Sequence, residues 1–278
     1  MIRILIIFFL TTLVSCKKGP QVGDTKHSYF KNYFYNSYQD SSLTILTYNI
    51  QLGFTSRQDP WDKNQIGATP NHIHEIAEII RQVNPSIILL QEVPIDRSNI
   101  EVKLLIEALA DSLNMNFAFG GHGPNDPYRI WPVKGIWGNA TLSKYPIVEI
   151  ENVEVYHEDK WKRRSVLRTK IKFNDNLFVN VYNLHHSGKD ENEMVNTKQL
   201  MKLSKIPVVV GGDFNRSYGN PKLSLLGDLQ DIFKNNIVGI DRIYTSFNDT
   251  IFQIGIISGS NIVSDHLADF AKVKLKAN

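Results

Sequence analysis

Acids, amides and histidines in this sequence gather where apolar runs end. Ile45-Leu46-Thr47-Tyr48-Asn49-Ile50 carries an amide into a β-like run, and Ile87-Ile88-Leu89-Leu90-Gln91-Glu92-Val93 runs straight into a carboxylate. Val208-Val209-Val210-Gly211-Gly212-Asp213-Phe214-Asn215 does the same, with a glycine pair that permits close backbone approach. Asp213 and Asn215 are separated by one residue, so an extended backbone aims both side chains the same way. Val263-Ser264-Asp265-His266-Leu267 sets an acid beside an imidazole before the last β-like run. Each feature alone is ordinary: a Glu after a strand is usually solvated, and Asp or Asn after Gly-Gly usually makes a turn. Together, Asn49, Glu92, Asp213 and Asp265 form a set of hard oxygen donors that suits Mg2+, Mn2+ or Ca2+. A single cysteine and the lack of a His-x-x-x-His pair disfavour zinc.

Strands must carry most of these residues. Runs of β character recur at 43–50, 86–90, 139–143, 166–173, 177–184, 207–210, 240–244 and 267–275. In 166–173, Arg168, Lys170 and Lys172 alternate with apolar neighbours, the pattern of a sheet with one face in water. Two stretches, 72–83 and 99–113, repeat apolar residues at helical spacing, with Asn71 and Ser98 as expected N-caps. Strands outnumber helices, so the expected class is α/β, with sheet packed on sheet and helices outside.

Composition is that of a folded domain. The 278 residues hold 31 Lys and Arg against 28 Asp and Glu, a net charge of +3, with 42% hydrophobic and 21% charged residues. This excludes a disordered polymer and a disulfide scaffold, and +3 is no nucleic-acid signature. The one long apolar run, 4–14, follows Arg3, is too short to cross a bilayer, and ends at Cys16, the sole cysteine. Small residues before a lone cysteine resemble a bacterial lipobox. The expectation is a signal peptide at 1–15, a lipidated Cys16 with a tether over 16–41, and one domain over 42–278. Tyr29, Phe30, Tyr33, Phe34, Tyr35 and Tyr38 make that tether too apolar to be a solvated linker, so packing back onto the domain is expected.

Thr47-Tyr48-Asn49-Ile50, Leu90-Gln91-Glu92-Val93, Gly138-Asn139-Ala140-Thr141-Leu142-Ser143-Lys144, Gly212-Asp213-Phe214-Asn215, Ile240-Asp241-Arg242-Ile243 and Ser264-Asp265-His266 follow in that order. This series resembles the endonuclease/exonuclease/phosphatase superfamily, the deoxyribonuclease I-like metal-dependent phosphoesterases. The resemblance implies a four-layered α/β sandwich, two mixed sheets face to face with helices on each outer side. It implies Mg2+ (Mn2+ or Ca2+ as alternatives) on Asn49 and Glu92, with Asp265 at the metal or behind it. Asp213 would position or activate water and Asn215 would donate to a phosphate oxygen. His266, oriented by Asp241, would contact the phosphate or act as base. His185, better matched than His186, would bind phosphate or protonate the leaving oxygen. Asn139 and Arg164 resemble a substrate-facing amide and a phosphate-facing arginine.

The scaffold serves many esters. The leading expectation is a monomeric phosphodiesterase with nuclease-like activity, lipid-anchored in the cell envelope outside the cytoplasm. A phospholipid or sphingomyelin phosphodiesterase, an inositol-phosphate phosphatase and a non-catalytic binding lipoprotein are the alternatives. The stretch 160–172 holds seven basic residues that either contact phosphate or form a solvated face. The loop 119–132 and Trp137 are rich in Gly, Pro and aromatics, as specificity loops often are. His27, His72, His74, His122 and His157 are expected to be structural or solvated.

Overall fold

The computed structural model describes residues 28–36, 42–60, 62, 64–65, 67–95, 104–122, 136–157, 163–217, 220–227, 229–232, 239–246 and 251–274. Cys16 and its apolar leader, Tyr38, Ser98, Tyr128 and Trp131 lie outside the described residues. Among those described, no helix is long and apolar enough to cross a membrane.

In chain order the first elements are β1 (Ser28–Lys31), β2 (Ser42–Asn49), α1 (Pro70–Arg81), β3 (Ile87–Ile95), α2 (Leu105–Leu113), β4 (Asn116–Gly121), β5 (Ile136–Ser143) and β6 (Ile147–His157). Then come β7 (Arg163–Lys172), β8 (Phe178–His185), α3 (Glu191–Lys202), β9 (Val208–Asp213), β10 (Gln230–Asp231), β11 (Asp241–Thr245), β12 (Ile251–Ile256), α4 (Ser260–Val263) and β13 (Asp269–Lys274). They form a seven-stranded sheet, β1-β4-β5-β3-β2-β13-β12, and a six-stranded sheet, β10-β11-β9-β8-β7-β6. Each sheet holds one parallel pair, β2–β3 and β8–β9, among antiparallel ones.

The apolar run Ile87-Ile88-Leu89-Leu90 is continuous because β3 is buried on both faces. Ile88 and Leu90, with Leu46 and Tyr48, pack under Ile73, Ile76 and Ile80 of α1 and Ile106 and Leu109 of α2. Ile87 and Leu89, with Leu43 and Ile45, meet Val179, Val181, Val209 and Ile243 of the other sheet. The outer face of that second sheet takes α3, through Met194 and Met201 against Tyr182, Leu184, Val208 and Val210. The result is the expected four-layered α/β sandwich.

Several local expectations change. Thr69, not Asn71, caps α1: its Oγ1 accepts from His72 N, and Pro70 opens the helix with φ already set. α3 has a narrow buried stripe (Glu193, Met194, Thr197, Met201) in an otherwise polar sequence, so apolar periodicity does not reveal it. β1 pairs with β4, and the Tyr29 ring meets Phe117 edge to face at 5.6 Å. Asn116 Oδ1 also accepts from Tyr33 N and Phe34 N, at 2.7 and 2.8 Å. Residues 28–36 are thus part of the sheet layer, and the folded domain reaches back before residue 42.

The basic stretch resolves as a solvated face for most of its described members. Across β6–β7, Arg168 pairs with Glu149 and Glu151, and Lys170 also reaches Glu149. Arg163 pairs with Glu154, and Lys172 with Asp175. Neutralised this way, the stripe offers little net charge to a phosphate backbone.

Candidate active site

Strand ends from both sheets meet at one edge of the sandwich. In the second sheet His185 lies opposite Asp213, and Asp213 opposite Asp241. In the first, Asn49 lies opposite Gln91, one residue before Glu92. Two backbone features make the meeting possible. Gly212 has φ 138°, and a Cβ there would fall 1.9 Å from Leu184 O, so only glycine lets β8 and β9 approach. Glu92 has φ 54°, inside an irregularity of the β3–β5 pairing between Leu90 and Val93. A bulged, left-handed glutamate costs on the order of 1–3 kcal/mol and re-aims its side chain out of the strand's alternation.

One carboxylate oxygen, Asp213 Oδ2, is the hub. Asn49 Nδ2 donates to it at 3.2 Å and to Glu92 Oε1 at 3.3 Å. His185 Nε2 is 3.5 Å from the same oxygen and His266 Nε2 is 3.8 Å from it. Behind His266, its Nδ1 meets Asp241 Oδ2 at 2.9 Å. Asp213 Oδ1 accepts from Asn215 N at 2.8 Å, a tight turn that holds the exposed Asn215 amide at the mouth. Ser264 Oγ donates to Asn49 O at 2.7 Å, which ties the Ser264-Asp265-His266 segment to the end of β2.

The electrostatics divide the site in two. Burial disfavours the His266 imidazolium, but the hydrogen bond to Asp241 and the charges of Asp241, Asp213 and Asp265 outweigh it and lift the pKa to about 10. Burial and then Asp241 push Asp213 up to about 7. Glu92 is also raised by burial, against the pull of the Asn49 hydrogen bond. His185 is held well below its ordinary value, first by burial and then by Arg164. Burial thus favours the neutral imidazole beside Asp213.

The described residues supply no lysine or arginine ion pair to Glu92 or Asp213, although both carboxylates sit in a drying environment. Asp213, Asp241 and His266 offer ligand atoms within 4.8 Å of one another. Hard oxygens bridged by an amide, with no lysine or arginine ion pair among the described residues, fit Mg2+, Mn2+ or Ca2+.

The model of the Endonuclease/Exonuclease/phosphatase family matches residues 46–266. The chain belongs to the endonuclease/exonuclease/phosphatase family. Escherichia coli K12 protein YbhP is 28% identical over 209 residues, which are 70% of this chain and 76% of that protein. The endonuclease/exonuclease/phosphatase of Beutenbergia cavernae superimposes with a TM-score of 0.66 at 18% identity, covering 86% of this chain and 72% of that one. A mannosyl-6-phosphatase of Bacteroides thetaiotaomicron superimposes with a TM-score of 0.59 at 17% identity, covering 84% of this chain and all of that one. Members of this family act on phosphate esters and typically depend on a divalent metal.

Against that family pattern the expected residues fall into three groups. Asn49, Glu92, His185, Asp213, Asn215, Asp241 and His266 are brought together; Asp265 is exposed at the rim, close enough to raise the pKa of Glu92 and His266. Arg164 stands beside them, its guanidinium 5.0 Å from the Trp137 ring centroid. Asn139 is placed otherwise than expected. Fully buried between the sheets, its Nδ2 donates to Ser165 O and Asn183 O at 2.9 and 3.2 Å, a clamp across the layers instead of a substrate-facing amide. His186 turns away from His185, onto Thr197 Oγ1 at 3.0 Å and the ring of Phe214.

Three groups escape sequence reading. His122, expected to be structural or solvated, is buried against Trp137 and His185 at the site itself. Asp269 starts β13, and burial followed by Asp241 raises its pKa to about 8, which favours the protonated carboxyl. Arg216 and Glu193 form a fully buried pair at 3.3 Å. Arg216 also donates to Phe214 O and Asp190 O, and Glu193 Oε1 accepts from Ser187 N. This pair braces the loop that follows His185 and the one that carries Asn215. Arg216→Ala leaves a buried carboxylate without its cation and should cost about 3–5 kcal/mol, read as a lower denaturant midpoint. An Arg216→Met/Glu193→Leu double variant should recover much of that; an unchanged midpoint in Arg216→Ala would refute the bracing role.

Proposed function

We propose that the chain is a Mg2+-dependent phosphodiesterase with nuclease-like activity, held by a lipid on Cys16 at the bacterial cell envelope, outside the cytoplasm. The observation that carries the catalytic reading is the convergence of His266, His185 and Asn49 on Asp213 Oδ2, with Glu92 across the Asn49 amide. Glu92, Asn49 and Asp265 would hold the ion, which supplies charge neutralisation at the phosphoryl oxygens. Asp213, with a pKa of about 7, is matched to orienting a water and taking its proton near neutral pH. His266 stays an imidazolium, Nδ1–H on Asp241, and offers Nε2–H to a phosphoryl oxygen. Asn215 keeps one amide hydrogen on His186 O and has the other for the same phosphate.

A sole cysteine after a short apolar run supports the anchor. That address favours scavenged nucleic acid or phospholipid head groups as substrates of a monomeric enzyme. A parallel assay tests the reading: bis(p-nitrophenyl) phosphate, plasmid DNA, RNA, sphingomyelin and phosphoinositides, each with Mg2+ or with EDTA. Mg2+-dependent diester hydrolysis with cleavage of nucleic acid is expected. Hydrolysis indifferent to EDTA, or none, rejects it.

A further inference from the structure

One buried histidine takes no part in the chemistry described above, yet it holds the loops that carry it. His72 stands in the first turn of α1 and is 5% exposed. Its Nδ1 meets Gly53 O at 2.5 Å and its Nε2 meets Val263 O at 2.9 Å. A backbone carbonyl can only accept, so each tie needs a hydrogen on its ring nitrogen. A ring with hydrogen on both nitrogens makes both ties at once. α1 is pinned to the first sheet through Ile73, Ile76 and Ile80, so the imidazole projects from a rigid support.

Each tied carbonyl lies close behind residues of the site. Gly53 closes a turn in which Gln51, Leu52 and Gly53 have φ of 47°, 55° and 78°. Three successive left-handed residues persist only where their surroundings hold them. The first of them orients Asn49: Gln51 N donates to Asn49 Oδ1 at 3.1 Å, which leaves Nδ2 for Glu92 and Asp213. Val263 ends α4, one residue before Ser264, whose Oγ donates to Asn49 O, and two before Asp265. The two segments also meet directly. Ser56 Oγ donates to Ile262 O at 3.1 Å, and Tyr48 Oη donates to Ser260 O at 2.7 Å. His72 adds the third side by fastening both to α1. We propose that His72 is a positioning residue for the divalent ion: by tying Gly53 and Val263 to α1 it sets the spacing of Asn49 and Asp265. The inference rests on the metal-dependent hydrolase reading above and adds to it a residue from a helix that supplies no ligand.

Mg2+ titrations of the full chain test it by two readouts: hydrolysis of bis(p-nitrophenyl) phosphate, and the thermal midpoint without substrate. His72→Phe keeps the bulk of the ring and loses both ties. Its half-saturating Mg2+ should rise about tenfold or more, and the midpoint rise at a fixed Mg2+ concentration should shrink in step. Its kcat at saturating Mg2+ should stay within about threefold of wild type, because His72 touches no reacting group. His72→Gln can keep one tie and should fall between the two; it carries the test if His72→Phe does not fold. Ile76→Ala separates positioning from stability: it loosens α1 and lowers the metal-free midpoint, but should leave half-saturating Mg2+ at the wild-type value. Three results overturn the proposal: wild-type half-saturation in the histidine variants, an equal rise in Ile76→Ala, or a kcat loss that saturating Mg2+ does not restore. A wild type whose midpoint responds to Mg2+ without hydrolysis overturns the reaction alone, and the midpoints still decide the role of His72. A wild type that responds to Mg2+ by neither readout overturns the metal-dependent reading, and the positioning role with it.

Discussion

Glu92→Gln should abolish Mg2+-dependent hydrolysis while leaving the metal-free protein as stable as the wild type or more so. The two halves of this expectation have one cause. Glu92 is held in a left-handed conformation and its carboxylate is desolvated, which raises its pKa. Both terms oppose folding, and the charges of His266 and Arg164 offset the desolvation only in part. Removing the charge relieves the desolvation, so the thermal midpoint in EDTA should hold or rise, the usual trade between stability and a strained site. The same change removes the firmest hard ligand. Hydrolysis of bis(p-nitrophenyl) phosphate should fall by roughly three orders of magnitude, about 4 kcal/mol of transition-state stabilisation. The rise in midpoint that Mg2+ gives the wild type should disappear. Wild-type hydrolysis and a wild-type Mg2+ response in Glu92→Gln would show that the ion is held elsewhere.

Asp241→Asn should weaken the enzyme by about two to four orders of magnitude, with a loss that deepens as pH rises. In the wild type the Asp241 hydrogen bond and the surrounding acids hold His266 protonated up to about pH 10. A pKa raised on folding contributes stability that is complete below the ordinary histidine value of 6.5 and is lost as pH climbs through 10. With asparagine at 241 the imidazolium loses its largest support, so its titration moves back towards 6.5 and the phosphate contact is lost between about pH 6 and 9. Asp213 should respond as well, because the Asp241 charge is, after burial, what lifts it to about 7. Its pKa should fall and its strength as a base with it. Profiles of kcat and KM against pH separate the two effects: KM follows His266 and kcat follows Asp213. Parallel pH profiles for variant and wild type would refute the Asp241–His266 coupling.

Much of this was legible in the residues themselves. Strand-end acids and amides in a fixed order carry the site because the end of a strand is where a side chain leaves the sheet's alternation and faces an edge. The Gly211-Gly212 pair announced a close approach that the structure places against Leu89 and Leu184. The apolar run through β3 and the alternation of β7 reported burial on two faces and on one, which suffices for a layered α/β fold. α3 stayed hidden because its buried stripe includes Glu193 and Thr197, polar residues that Arg216, Ser187 N and His186 satisfy across the fold.

What local sequence cannot contain is the partner across the sandwich. Between His185 and His186 the choice rests on strand alternation: one faces Asp213, the other Thr197 under α3. Asn139 has the same composition as a substrate amide, yet two carbonyls from the opposite sheet claim its hydrogens. Arg163, Arg168, Lys170 and Lys172 are neutralised by β6 and a turn acid, a pairing set by register. His122 becomes part of the site only because β4 and β8 belong to different sheets that close on one edge. Sequence by itself determined the layers and the inventory of the chemistry. Tertiary structure decided which groups share a solvent-poor space, because only the packing of one sheet on the other brings residues far apart in sequence to one edge.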